Sequence, residues 1–216
     1  MKQHATSLKP LTANQQERRQ KILDATRKLV SQLGYEGTVM RDVAQLAGVS
    51  PTTLYNLYNT KDELLLAALQ NRVTDGWQRA SEHAGEPGFD RLMALLEHSV
   101  AQTHEEPTYA KVITNALQRT TPGDPLIDML IYGNINAITS SLKTMQQRHQ
   151  INTKNIPQLA TDLIGAFWTQ YTLWSKDVIQ LDALLPGLQR SFLYILLPYA
   201  QAPFEQLLTL RLKKVH

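Results

Sequence analysis

The sequence predicts an all-α protein, and three observations carry that prediction. Apolar residues recur every three or four positions through most of the chain, as along one face of a helix. Three of these runs open on a hydroxyl or amide residue followed three positions later by glutamine or glutamate, the spacing of a reciprocal helix cap: Thr12 with Gln15, Thr60 with Glu63, Asn155 with Gln158. No alternating apolar and polar stretch long enough for a strand is present. The length, 216 residues, suits one domain of ordinary size plus a smaller one.

Composition narrows the function classes. No run approaches the roughly eighteen apolar residues of a membrane span, and the first ten residues lack the apolar core of a signal peptide, so a cytoplasmic protein with no membrane partner is expected. The absence of cysteine removes disulfides, thiolate zinc sites and cysteine nucleophiles. No glycine-rich phosphate loop, His-Glu-x-x-His run or Gly-x-Ser-x-Gly elbow occurs. His98 and His104 do not share a helix face, His83 and His149 fall near helix ends, and the adjacent Glu105 and Glu106 splay apart. We therefore expect no catalytic residue, metal or cofactor, and an enzyme is the weaker alternative class.

In chain order, the first eleven residues are polar and aperiodic and read as an arm, whose Lys2 and Lys9 could reach a polyanion. A helix follows from Thr12 with Ile22, Leu23, Leu29 and Val30 on its apolar side, and Gly34 stops it. Thr38 is placed to cap the next helix, in which Val43, Leu46 and Ala47 form the inward face and Gly48 supplies the ending. Ser50 caps again and Pro51 takes the first helical position. Leu54 and Leu57 are expected inward, with Thr52, Thr53, Tyr55 and Asn56 outward. A helix from Lys61 runs through Leu64, Ala68, Val73 and Trp77 and bridges to the C-terminal part of the chain.

In that part, Asp90 is expected to cap a helix ending before Pro107, and another runs from about Tyr109 to Arg119. Asp124 and Pro125 open a long helix to Met145. The segments Pro157–Lys176 and Asp182–Leu197 carry wider apolar stripes than a simple surface helix needs, so each should bury more than one side. A short last helix, Phe204 to about Lys213, shows no purpose in the sequence.

The run from Arg41 to Leu64 is specific. Val43 and Ala44, then Ala47, Gly48, Val49 and Ser50, then Thr53, Leu54 and Tyr55, then Lys61 and Leu64, resemble the DNA-binding signature of the TetR family of bacterial transcription regulators. Leu57 stands where that family often has histidine or tyrosine, and Tyr58 where it often has phenylalanine, so the Tyr58 hydroxyl is the group available there for a phosphate. Charge agrees: residues 1–60 hold eight lysines and arginines against four carboxylates, although the whole chain is only +3. The resemblance implies an N-terminal three-helix DNA-binding domain with a helix-turn-helix (1–60) and a larger C-terminal helical ligand-binding and dimerisation domain (61–216).

Thr38, Arg41, Ser50, Pro51, Thr52, Thr53, Tyr55, Asn56, Tyr58 and Lys61 are the candidate DNA-binding residues. Thr52, Thr53 and Asn56 are assigned to base edges, and Thr38, Arg41, Tyr55 and Lys61 to phosphate. The resemblance further implies a homodimer on a palindromic double-stranded DNA operator, released by a small-molecule effector, and so a repressor. Leu163, Phe167, Trp174, Leu188, Phe192 and Ile195 are the candidate dimer contacts. Asn115, Gln118, Tyr132, Asn136, Trp168 and Tyr171 are the candidate lining for a largely apolar ligand. Core packing for the aromatics and solvation for the amides are the plainer alternatives. A helical adaptor that has lost DNA binding also remains open.

Overall fold

Thr12 and Gln15 form the reciprocal cap their spacing predicts: the Gln15 N–H donates to the Thr12 hydroxyl, and the Thr12 N–H to the Gln15 side-chain oxygen at 2.9 Å. They open α1 (Ala13–Gly37) in a computed structural model that describes residues 12–71 and 85–215. The expectations for Lys2, Lys9, Val73, Trp77 and His83 lie outside the described residues. The chain divides into two compact units, Met1–Leu69 and Gln70–His216. No named strand occurs among the described residues, only an isolated antiparallel bridge between Ile151 and Ala200.

In the first unit the backbone leaves helical geometry at Gly34 (φ 70°), one turn before the end of α1. The following turn differs from expectation. Val39, not Thr38, occupies the cap position of α2 (Met40–Ala47), and the Thr38 hydroxyl donates back to the Gly34 carbonyl at 2.7 Å. That carbonyl is among those left without a helical N–H at the end of α1, and Thr38, buried beside it, supplies the missing donor. The buried face of α2 is Met40, Val43, Ala44 and Ala47, while Leu46 is exposed, since it lies ~100° around the helix from Ala47.

Gly48 ends α2 in the left-handed conformation (φ 68°, ψ 32°), and its N–H reaches the carbonyls of Ala44 and Gln45. α3 (Pro51–Leu57) and a helix over residues 61–71, α4, complete the unit. Thr60 accepts from the Glu63 N–H at 3.1 Å, but the Glu63 carboxylate turns to Asn59, so only half of the expected second cap forms. Ile22, Val43, Ala44, Leu54, Tyr58, Leu64 and Ala68 share one core.

The second unit starts with α5 (Phe89–Glu105). Gly88 holds its cap position without a side-chain bond, and Asp90, the expected cap, sits inside the first turn facing Arg211 at 3.6 Å. α6 (Pro107–Leu117) follows. The long helix expected next is a succession of α7 (Pro125–Ile127), a π-helical stretch Asp128–Tyr132 and α8 (Gly133–Gln147). Then come α9 (Ile156–Ser175), a 3-10 turn (Leu181–Ala183), α10 (Leu184–Leu196), a second such turn (Leu197–Tyr199) and α11 (Phe204–Leu212).

α9 packs against α6, α8 and α10, which is where its wide apolar stripe goes. α11, without purpose in the sequence, has one in the structure. Its Phe204, Leu208 and Leu212 are buried, the Phe204 ring meets Phe89 edge-on at 5.1 Å, and Arg211 lies 5.0 Å from the Phe89 ring, so α11 closes the core over the start of α5. Phe204→Ala should therefore destabilise the protein by about 3–5 kcal/mol. Chemical denaturation checks this, and an unchanged midpoint would show that α11 is not part of the core.

Candidate nucleic-acid interface

The corner between α2 and α3 is built from local rules. Ser50 accepts from the Thr53 N–H at 3.0 Å and its hydroxyl bonds the Thr53 hydroxyl at 2.8 Å, so α3 starts with its free amide satisfied and Pro51 in the first turn. Thr53 is thereby half-buried and its hydroxyl occupied. Leu54 is the one buried residue of α3. Pro51, Thr52, Tyr55, Asn56 and Leu57 are exposed, Tyr55 by 50 % and Leu57 by 46 %. Arg41 is exposed on the first turn of α2.

Two placements correct the sequence reading. Leu57 does not join the core, and Tyr58 does. Tyr58 follows the end of α3 with extended backbone (φ −141°, ψ 110°), which swings its ring into the core at 7 % exposure. Burial pushes its phenol above the ordinary tyrosine range, against the opposing pull of the Arg19 charge. A phosphate contact from Tyr58 is thus withdrawn. So is one from Thr38, which is 1 % exposed with its hydroxyl committed to Gly34. Lys61 is half-buried at the start of α4, its ammonium donating to the Tyr35 carbonyl at 2.9 Å.

In the second unit, the candidate ligand residues do not converge. Asn115 accepts from Lys176 at 2.7 Å and Gln118 donates to Thr172 at 2.9 Å, so both amides tie α6 to the end of α9. The Tyr171 hydroxyl is shared by Ser99 at 2.7 Å and Thr103 at 3.0 Å. Tyr132 and Asn136 are exposed. Trp168 differs: its ring packs beside the stacked pair of Phe167 (5.3 Å) and Tyr171 (5.8 Å), and its N–H is buried without a partner. A cleft of about 240 Å³ that no sequence signal marked is lined by Gly88, Phe89, Arg148, Gln150 and Phe204, among others.

The dimer candidates also need correction. Leu163, Trp174, Leu188 and Phe192 are buried within the chain itself, where α9 and α10 pack on their neighbours, and have no surface to offer a second copy. Phe167 and Ile195 keep partial exposure.

Residues 22–68, which span this corner, match the model of the bacterial regulatory proteins of the tetR family. That segment is thus similar to the tetR-family DNA-binding region. The chain is 34 % identical over 102 residues to the HTH-type transcriptional repressor KstR of Rhodococcus jostii, covering 47 % of this chain and 48 % of that one. The chain thus spans about half the length of the KstR proteins it matches. Among solved structures, a TetR-family transcriptional regulator from Rhodococcus sp. superposes with a TM-score of 0.69 at 22 % identity, over 84 % of this chain and 99 % of that one. The regulator FadR of Bacillus subtilis, solved with stearoyl-CoA, does so with a TM-score of 0.69 at 18 % identity, over 82 % and 97 %. At these identities the structures establish the shared fold.

A corner of this kind depends on its cap. Ser50→Ala should cost about 1 kcal/mol of stability and loosen the start of α3. The change is read as a lowered melting temperature, with Ser50→Asp restoring the lost cap; equal melting of all three proteins would contradict the capping role.

Proposed function

We propose that the protein is a DNA-binding transcription regulator of the repressor type, a homodimer that holds a palindromic operator and lets it go when a small, largely apolar molecule binds the second unit. The observation that carries the reading is α3 itself. Seven residues long and anchored by Leu54 alone, it gives its remaining surface to Thr52, Tyr55, Asn56 and Leu57, a set of short, amide and apolar groups suited to base edges and thymine methyls in a major groove. Arg41 and Lys61 flank it as phosphate contacts. The repressor names of the relatives agree.

Asn56→Ala should weaken binding to the DNA flanking its own gene by about 1–3 kcal/mol while leaving binding to unrelated duplex unchanged, because a base contact carries sequence information and a phosphate contact does not. Competitive anisotropy measures both. An equal loss on the two DNAs would move Asn56 to the phosphate class.

For the dimer, the outward faces of α9 and α10 are the proposed contact in place of the buried candidates. Thr161, Gly165 and Thr169 form an exposed stripe at four-residue spacing, with both threonine hydroxyls bonded within the helix, and Tyr194 is exposed on α10. A palindromic operator requires the two recognition helices of such a dimer to lie about 34–36 Å apart, one turn of DNA. Gly165→Arg should convert the protein to a particle of 24.4 kDa by light scattering. A wild-type protein that is already monomeric at micromolar concentration would rule the dimer out.

For the effector, Trp168 is the residue we retain. Its unpartnered buried N–H is costly, and an acceptor carried by an apolar ligand would relieve it. Long-chain acyl thioesters, one of which FadR of Bacillus subtilis was solved with, are a class to test by DNA release alongside neutral aromatics.

A further inference from the structure

The first turn of α4 holds contacts for which the sequence offers no signal. The Lys61 ammonium donates to the Tyr35 carbonyl at 2.9 Å and stands 4.1 Å from the centroid of the Tyr35 ring. The Tyr35 hydroxyl donates to an Asp62 carboxylate oxygen. Next along, a Glu63 carboxylate oxygen accepts from the Asn59 N–H at 2.9 Å and from the Asn59 side-chain amide at 3.1 Å. Three consecutive charged side chains at the amino end of one helix are each held by a neighbour.

We propose that Tyr35 is a positioning residue for phosphate binding by Lys61, its carbonyl and ring holding the ammonium and its hydroxyl holding the Asp62 carboxylate. This rests on the reading of Lys61 as a phosphate contact. An unrestrained lysine loses most of its rotamer freedom when it grips a phosphate, whereas one already laid against a ring has little left to lose. The ammonium has three donors, and the Tyr35 carbonyl uses one, so two remain for an oxyanion. The setting needs such control. The start of a helix attracts an anion, yet Asp62 and Glu63 put two negative charges into that same turn, where they repel it. Hydrogen bonds from Tyr35 and Asn59 draw on the charge of both carboxylates and keep them from competing for Lys61.

The test is anisotropy of a labelled duplex from the DNA flanking its own gene, over a salt series, with melting curves for every protein. Lys61→Ala should flatten the dependence of log K on log salt by about one unit. Tyr35→Leu, which keeps the carbonyl and removes ring and hydroxyl, should weaken binding about two- to fivefold, and should have no effect when Lys61→Ala is already present. Tyr35→Phe keeps the ring and frees Asp62, so it should bind more weakly than the wild type, and adding Asp62→Asn should restore the affinity. A Tyr35→Leu loss that is the same with and without Lys61 overturns the proposal. If Tyr35→Leu fails to fold, the Tyr35→Phe pair decides, and a loss that Asp62→Asn does not repair overturns it. The underlying reading fails separately: the wild type then binds no duplex, or Lys61→Ala binds as the wild type does at every salt concentration, and the role of Tyr35 falls with it.

Discussion

The whole outward chemistry of α3 depends on one buried side chain. α3 makes barely two turns, and Leu54 is the only residue by which it enters the core, among Ile22, Val43, Ala44 and Leu64. A helix held at one point could rotate about its axis. Here its two flanks prevent that: the Ser50 cap and left-handed Gly48 fix the entry, and Tyr58, buried in the same core, fixes the exit. Leu54 sets the depth of the helix and the two flanks set its rotation, so the identity of the exposed residues follows from the core beneath them.

That division explains which features are legible in the sequence. Caps are local, set by side chains three residues apart, and the Thr12, Ser50 and Asn155 caps all accept the N–H their spacing predicts. Helical periodicity is less local, and it misplaces Leu57 and Tyr58 for a definite reason. The periodic pattern runs on past the end of α3, but Tyr58 has strand-like backbone, so the side that faces the core changes between the two residues. A phenylalanine-like role for Tyr58 also removes one of the two departures that favour an adaptor without DNA binding. Thr38 misleads in the same way: a hydroxyl before a helix can satisfy the helix ahead or the one behind, and the break at Gly34 leaves a carbonyl behind.

The second unit is legible in the sequence as helices and not as a site. The width of the apolar stripes on α9 and α10 predicts burial on more than one side, which is observed, but within the single chain three neighbouring helices already cover α9. Amides on helix surfaces carry no direction in the sequence. Asn115 and Gln118 are equally consistent with solvent, ligand or a neighbouring helix, and the structure gives them to α9. Trp168 stands apart because a single polar atom on a large apolar ring must find an acceptor or bear the cost of burial, and that distinction exists only once its surroundings are known.

The role proposed for α3, seated by Leu54 between its two fixed flanks, is to read DNA from the major groove. Methylation interference on the DNA flanking its own gene tests it most directly, since guanine N7 lies in the major groove and adenine N3 in the minor groove. Major-groove reading by a dimer predicts two clusters of interfering guanine N7 methylation, related by two-fold symmetry and about one helical turn apart. Interference from adenine N3 alone, or binding indifferent to methylation in both grooves, would contradict it.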